Sequence, residues 1–137
     1  MVEGTLTDSN FDEISWHDNF VYSIILPDSD YNFKLDIDYI QEWIENGDEP
    51  YNFIVAPSIL CFQNVFDLSI NLKFERYNDL CIESITRENK RLSPNGKVFI
   101  WDYYIAFERG DIKFSATGFY QQYTAAPKLM NGQKYDR

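Results

Sequence analysis

The chain has 137 residues, the length of one domain able to close a single hydrophobic core. Hydrophobic residues make up 45% and charged residues 25%, which is globular composition and excludes a disordered chain. Twelve basic residues against 22 acidic ones give a formal net charge of -10, which argues against nucleic acid and anionic lipid as partners, since both are held by Lys and Arg clusters.

Eleven Phe, ten Tyr and three Trp suit pleated, half-buried surfaces, so composition already tilts towards sheet. No basic segment followed by an apolar one opens the sequence, and no apolar run reaches the ~18 residues of a membrane span. Phe20 to Leu26 is a β-branched and aromatic run, and Pro27-Asp28-Ser29-Asp30 supplies turn chemistry after it. Phe33, Leu35, Ile37 and Tyr39 then alternate with Lys34, Asp36 and Asp38, the pattern of a strand with one buried face and a hairpin partner. Trp43 continues that face, although Asp38 with Gln41 also resembles a helix capping box; a strand that runs on, or frays into one helical turn, is expected.

Asn46 to Pro50 reads as a loop, Tyr51 to Ala56 as a strand stopped at Pro57, and Ile59 to Asp67 as a central strand. Leu68, Ile70, Leu72 and Phe74 alternate next, before a turn at Tyr77-Asn78-Asp79. Leu80 to Thr86 is a short strand, Arg87 to Arg91 a charged connector, and Ser93-Pro94-Asn95-Gly96 a tight turn. Val98 to Glu108 and Ile112 to Tyr123 form a hairpin about Arg109-Gly110-Asp111. The fold expected is all-β: an antiparallel sandwich or partly open barrel of about 7–9 strands with at most one short helix. A single domain spans residues 1–124, and 125–137 form a flexible tail.

Candidate chemistry is sparse. His17 beside Asp18 is half of a general-base pair, but neighbours on a strand point to opposite faces, so a structural strand start with Trp16 packed inward is the plainer reading. With one histidine a His-rich zinc centre is excluded. Asp28-Ser29-Asp30-Tyr31-Asn32 begins like a calcium loop, yet Phe33 stands where glycine is needed and Tyr39 where a bidentate glutamate is needed. Neither Cys61 nor Cys81 has a histidine nearby in sequence; both read as reduced residues of apolar segments. No phosphate-binding glycine pattern and no nucleophile elbow occur. Asp36 and Asp38 share one strand face, and Tyr103 and Tyr120 lie in strands with aromatics on both faces, where outward tyrosines would line a groove or interface.

The phrases Ser15-Trp16-His17-Asp18, Leu35-Asp36-Ile37-Asp38-Tyr39-Ile40 and Val55 through Leu68 resemble small bacterial β-proteins, some of which look like immunity proteins of polymorphic toxin systems. That resemblance implies an immunity-type inhibitor and carries over no site residue; the lack of a secretion signal at the start gives the expectation of a cytoplasmic protein.

The expectation is therefore a non-enzymatic binding protein that presents an acidic surface to a basic protein partner, with no cofactor and no metal. Its candidate binding residues are Trp16, His17, Asp18, Asp36, Asp38, Tyr103 and Tyr120. Two alternatives stay open: a small-molecule, carbohydrate-like binder or enzyme with a Tyr/Asp-lined pocket, and a structural homo-oligomer subunit such as a homodimer.

Overall fold

The computed structural model describes residues 4–47, 49–74 and 79–137. In chain order the strands are β1 (Thr5–Thr7), β2 (Phe20–Ile25), β3 (Phe33–Asn46), β4 (Glu49–Gln63), β5 (Phe66–Leu72), β6 (Ile82–Leu92), β7 (Phe99–Phe107), β8 (Gly110–Ala116), β9 (Gly118–Tyr123) and β10 (Lys128–Met130), with a 3-10 helix at Asp8–Glu13. They form two antiparallel sheets that do not close into a barrel: β1-β9-β4-β3-β2 with β10 added to β4, and β5-β8-β7-β6. The ten strands, one above the expected range of about 7–9, include β1 and β10, three-residue elements too short to leave a periodic signal.

Alternation from residue 33 to 39 sets the first sheet. Phe33, Leu35 and Ile37 are fully buried, and Leu60 and Phe62 of β4 join them. The second sheet answers with Ile105 and Phe107 of β7 and Ile112 and Phe114 of β8. Phe62 meets Phe114 at 4.7 Å and Tyr103 at 5.1 Å between ring centroids, so the sheets are stitched by aromatic contacts. Each buried ring of this kind contributes ~1.5–3 kcal/mol.

Five expectations fail for identifiable reasons. The single strand expected from Ile59 to Asp67 is the end of β4 and the start of β5 in the other sheet, parted at Asn64, whose φ is 54°. Pro57 does not stop a strand but sits within β4, opposite Asp38 of β3. Its carbonyl accepts from Thr124 N at 2.8 Å, so its backbone polar side faces away from β3, where β9 pairing ends at Ser58 and β10 pairing starts at Val55. The missing N–H falls in that gap and costs no ladder bond. Trp43 does not continue the core face. A bulge between Ile40 and Glu42 inserts one residue, which flips the alternation and turns Trp43 to the outer face opposite Phe53.

Arg87 to Arg91 belongs to β6 rather than to a connector; β6 is a sheet edge, where charged side chains are tolerated. The strand expected from 112 to 123 breaks at Thr117, and its second half crosses to the other sheet as β9. The hairpin forms, but its turn is Glu108-Arg109 rather than Arg109-Gly110-Asp111, since Gly110 opens β8 opposite Phe107. Gly110 has φ 137°, and a β-carbon there would run into the Asn71 backbone carbonyl. The Ser93–Gly96 turn also forms, Gly96 N donating to Ser93 O at 2.8 Å. The loop expected from Asn46 to Pro50 is shorter, since Asn46 ends β3 and Glu49 begins β4, and Asp48 lies outside the described residues, as do Tyr77 and Asn78 of the other expected turn.

The 3-10 helix is tied to the second sheet through Arg87. Its guanidinium lies between Phe11, 4.2 Å from the ring centroid, and Trp101, at 4.1 Å. The same group pairs with Asp8 and donates to Tyr103 Oη at 3.3 Å.

Residues after Thr124, expected to form a flexible tail, carry structure of their own. Lys128–Met130 pair with Phe53–Val55 of β4, and residues 133–137 run over the outer face of β2 and β3.

Candidate functional site

The outer face of the first sheet is divided by chemistry. Ile40, Val55 and Phe53 make an apolar cluster on which Met130 and Tyr135 pack. Trp43 adjoins it, 5.0 Å from the Phe53 ring and 6.0 Å from Tyr51, and His17 stacks on Trp43 at 6.5 Å with an interplanar angle of 15°. Beside this cluster lies the acidic half, Asp36 and Asp38, two positions apart on β3 and therefore side by side on one face.

Asp38 is 0% exposed. Three donors reach its carboxylate: Tyr22 Oη at 2.6 Å, Tyr135 N at 2.8 Å and Arg137 Nη2 at 3.1 Å. Arg137 also donates to Asp36 through both terminal nitrogens, at 2.9 and 3.2 Å, and to the Ile37 carbonyl at 3.3 Å. Its guanidinium carbon is 3.8 Å from the centroid of Tyr22, so one face of the cation rests on an aromatic ring. Burial, followed by the hydrogen bond and charge of Asp38, pushes the Tyr22 phenol up to about 12, with Arg137 holding back part of the rise. Two carboxylates, a backbone carbonyl and an aromatic face thus surround one planar cation, the Arg137 guanidinium.

The preceding residues extend this run of contacts. Gln133 Nε2 donates to Asp18 Oδ2 at 3.3 Å, and Lys134 Nζ pairs with Asp79 at 2.9 Å while lying 4.2 Å from the Phe20 ring. Asp18 therefore joins Asp36 and Asp38 along one strap, and its φ of 64° marks the turn that brings it there.

Of the sequence-derived candidates, His17, Asp18, Asp36 and Asp38 fall on this face. His17 Nε2 is 3.5 Å from Asp18 Oδ2, and its Nδ1 lies 3.2 Å from the Glu83 carbonyl. Asp38 is not the exposed contact expected of it, because Tyr22, Tyr135 and Arg137 cover it. Trp16 is elsewhere, buried in the core with Nε1 donating to Gln121 Oε1 at 2.8 Å. Tyr103 is also a core residue and not an outward tyrosine; it stacks on Phe114 at 5.2 Å. Tyr120 is half-buried opposite Cys61, whose hydrogen bond and charge, ahead of burial, raise its phenol. Sequence reasoning missed Tyr22, Tyr135 and Arg137. Tyr22 had a readable strand position, whereas nothing local marks Arg137.

A concavity of about 790 Å³ lies on the second sheet and is lined by Thr86, Glu88, Asp102, Tyr104, Lys113 and Ser115 among others. Glu88, Asp102 and Ser115 stand in one cross-strand row and Thr86, Tyr104 and Lys113 in the next. Asp102 accepts from Ser115 Oγ at 2.7 Å and Asn89 Nδ2 at 2.9 Å, and pairs with Arg91 at 3.0 Å. The Asn89 and Ser115 bonds, with Arg91, outweigh burial and hold its carboxyl below the usual range.

Among the described residues no group of three or more His, Cys, Asp or Glu is placed to hold a metal ion. No family model matches the chain, and no curated protein or solved structure matches it either.

Proposed function

We propose that this chain is a non-enzymatic binding protein that engages a basic partner through the outer face of its first sheet, in the manner of a cytoplasmic immunity-type inhibitor. The observation that carries the reading is the guanidinium receptor at Asp36, Asp38 and Tyr22, at present filled by Arg137. A net charge of -10 adds long-range attraction for a basic partner, and Trp43 and Tyr51 offer half-exposed aromatic anchors beside the receptor.

The direct test vacates the receptor. N-acetylarginine amide is titrated into the Arg137→Ala protein, followed by NMR of the Tyr22 ring and the β3 amides. Saturable binding is expected, with N-acetyllysine amide weaker by about tenfold and Asp36→Lys in the same background abolishing it. Absence of any saturable shift refutes the receptor.

A second reading has one observation in its favour. The groove over Asp102 and Tyr104 has the ~300–1,000 Å³ size of a small-molecule site and mixes donors, acceptors and an aromatic face, as a carbohydrate-like ligand requires. Shifts at Tyr104 on adding a panel of simple sugars would favour it.

A further inference from the structure

β4 has two different neighbours on one edge. β9 pairs with Ser58–Gln63, β10 pairs with Phe53–Val55, and Pro57 stands between them. Without β10, the Phe53–Val55 length of β4 would be an open sheet edge beside an apolar cluster, the arrangement that accepts an added strand. The segment now filling it is lightly held. Its ladder covers three residues, Leu129 within it is 63% exposed, and the Arg137 side chain keeps 31% of its surface in solvent. The Arg137 pairs, one of them to fully buried Asp38, are the segment's main anchor, and they lie at the margin of solvent. The core beneath, with Phe33, Leu35, Leu60 and Phe62 at 0% exposure, does not depend on it. The connection from β9 to β10 is the short exposed segment Thr124-Ala125-Ala126-Pro127, outside any strand.

Strand, apolar cluster and receptor lie in line. Met130 and Tyr135 sit on Ile40, Phe53 and Val55, and Arg137 enters the receptor seven positions beyond the end of β10. We propose that residues 125–137 are a built-in competitor. An extended segment of a partner displaces them, pairs with Phe53–Val55 of β4, lays apolar side chains on the Ile40 cluster and places its own arginine between Asp36, Asp38 and Tyr22. This rests on the guanidinium reading above and adds the form of the partner, an extended chain with an arginine beyond a short apolar strand. It also adds a threshold, because the tethered segment competes at an effective concentration of order millimolar. Only a partner that binds the face more tightly than the tail does will open it.

The test uses a fluorescein-labelled peptide of the sequence Ala125 to Arg137, added to the full native chain and to the full-length Arg137→Ala protein, with anisotropy as readout. The peptide should bind Arg137→Ala at least about tenfold more tightly than the native chain, because the variant's own tail competes less well. A peptide with alanine in place of its arginine should not bind. Met130→Ala thins the apolar contact but keeps every carboxylate and Arg137, and should give an intermediate affinity if the whole tail is displaced. Equal affinity for native chain and Arg137→Ala would overturn the proposal. So would failure of the peptide to bind Arg137→Ala while N-acetylarginine amide still does; that outcome leaves the receptor standing and removes the displacement. Failure of both ligands removes both readings.

Discussion

The pairing of Arg137 with Asp38 makes a quantitative claim about stability. Arg137→Ala leaves a carboxylate of 0% exposure with only two neutral donors, Tyr22 Oη at 2.6 Å and Tyr135 N at 2.8 Å. Breaking a fully buried pair in this one-sided way costs ~3–5 kcal/mol. Here the Arg137 side chain is 31% exposed, and the pair therefore sits at the margin of solvent. Undocking of residues 133–137 would let water reach Asp38, which caps the loss. A cost of ~1.5–2.5 kcal/mol follows. Asp38→Ala removes the buried charge together with its partner's need for it. Arg137 keeps Asp36, and Tyr22, a partly exposed residue, can turn its hydroxyl to water, so ~1–2 kcal/mol is expected. The double variant should cost less than the sum, with a coupling of about 1 kcal/mol. Urea denaturation of the four proteins measures the cycle, and the coupling should change little with added salt because Asp38 is buried. A coupling below ~0.3 kcal/mol, or an Arg137→Ala protein as stable as the native one, would refute the reasoning.

Two further outcomes follow from other parts of the fold. Arg87→Lys keeps the charge but loses a planar group stacked on both Phe11 and Trp101, and should cost ~1–2 kcal/mol in urea denaturation; an unchanged midpoint would mean the stack contributes nothing. Burial pushes Tyr103 up to about 12, and Tyr22 rises to a similar value, both from 10.0. A phenol whose folded value is raised contributes stability that is whole below pH ~10 and lost as pH climbs to ~12, so the urea midpoint should fall steadily across that window. Tyr103 accounts for roughly 2–3 kcal/mol of the loss and the more exposed Tyr22 for less. Tyr103→Phe should make that fall shallower, with Tyr22, Tyr39 and Tyr120 supplying the remainder, and a profile identical to the native one would refute the assignment.

The face of Asp36 and Asp38 was legible because period-2 alternation from Phe33 to Tyr39 is a local pattern that forces both carboxylates to one side. What covers them was not legible. The contacts from Tyr135 and Arg137 join residues about a hundred positions apart, and a polar tail gives no periodic sign of where it docks. Trp43 illustrates the same limit within one strand, since a single inserted residue near Ile40 reversed the side on which it emerges.

The sequence by itself determined the class of fold: its aromatic and β-branched runs, their period of two and the Gly and Pro turns leave antiparallel sheet as the way to bury one face. It also determined the acidic balance and the hairpin that ends at Gly110. Only the tertiary structure decided that Pro57 stays inside a strand, that β8 and β9 part at Thr117, and that Asp36, Asp38 and Tyr22 close around Arg137. Each of those depends on which distant strand or tail lies alongside, and pairing partners are set by packing between sheets rather than by the order of residues within one.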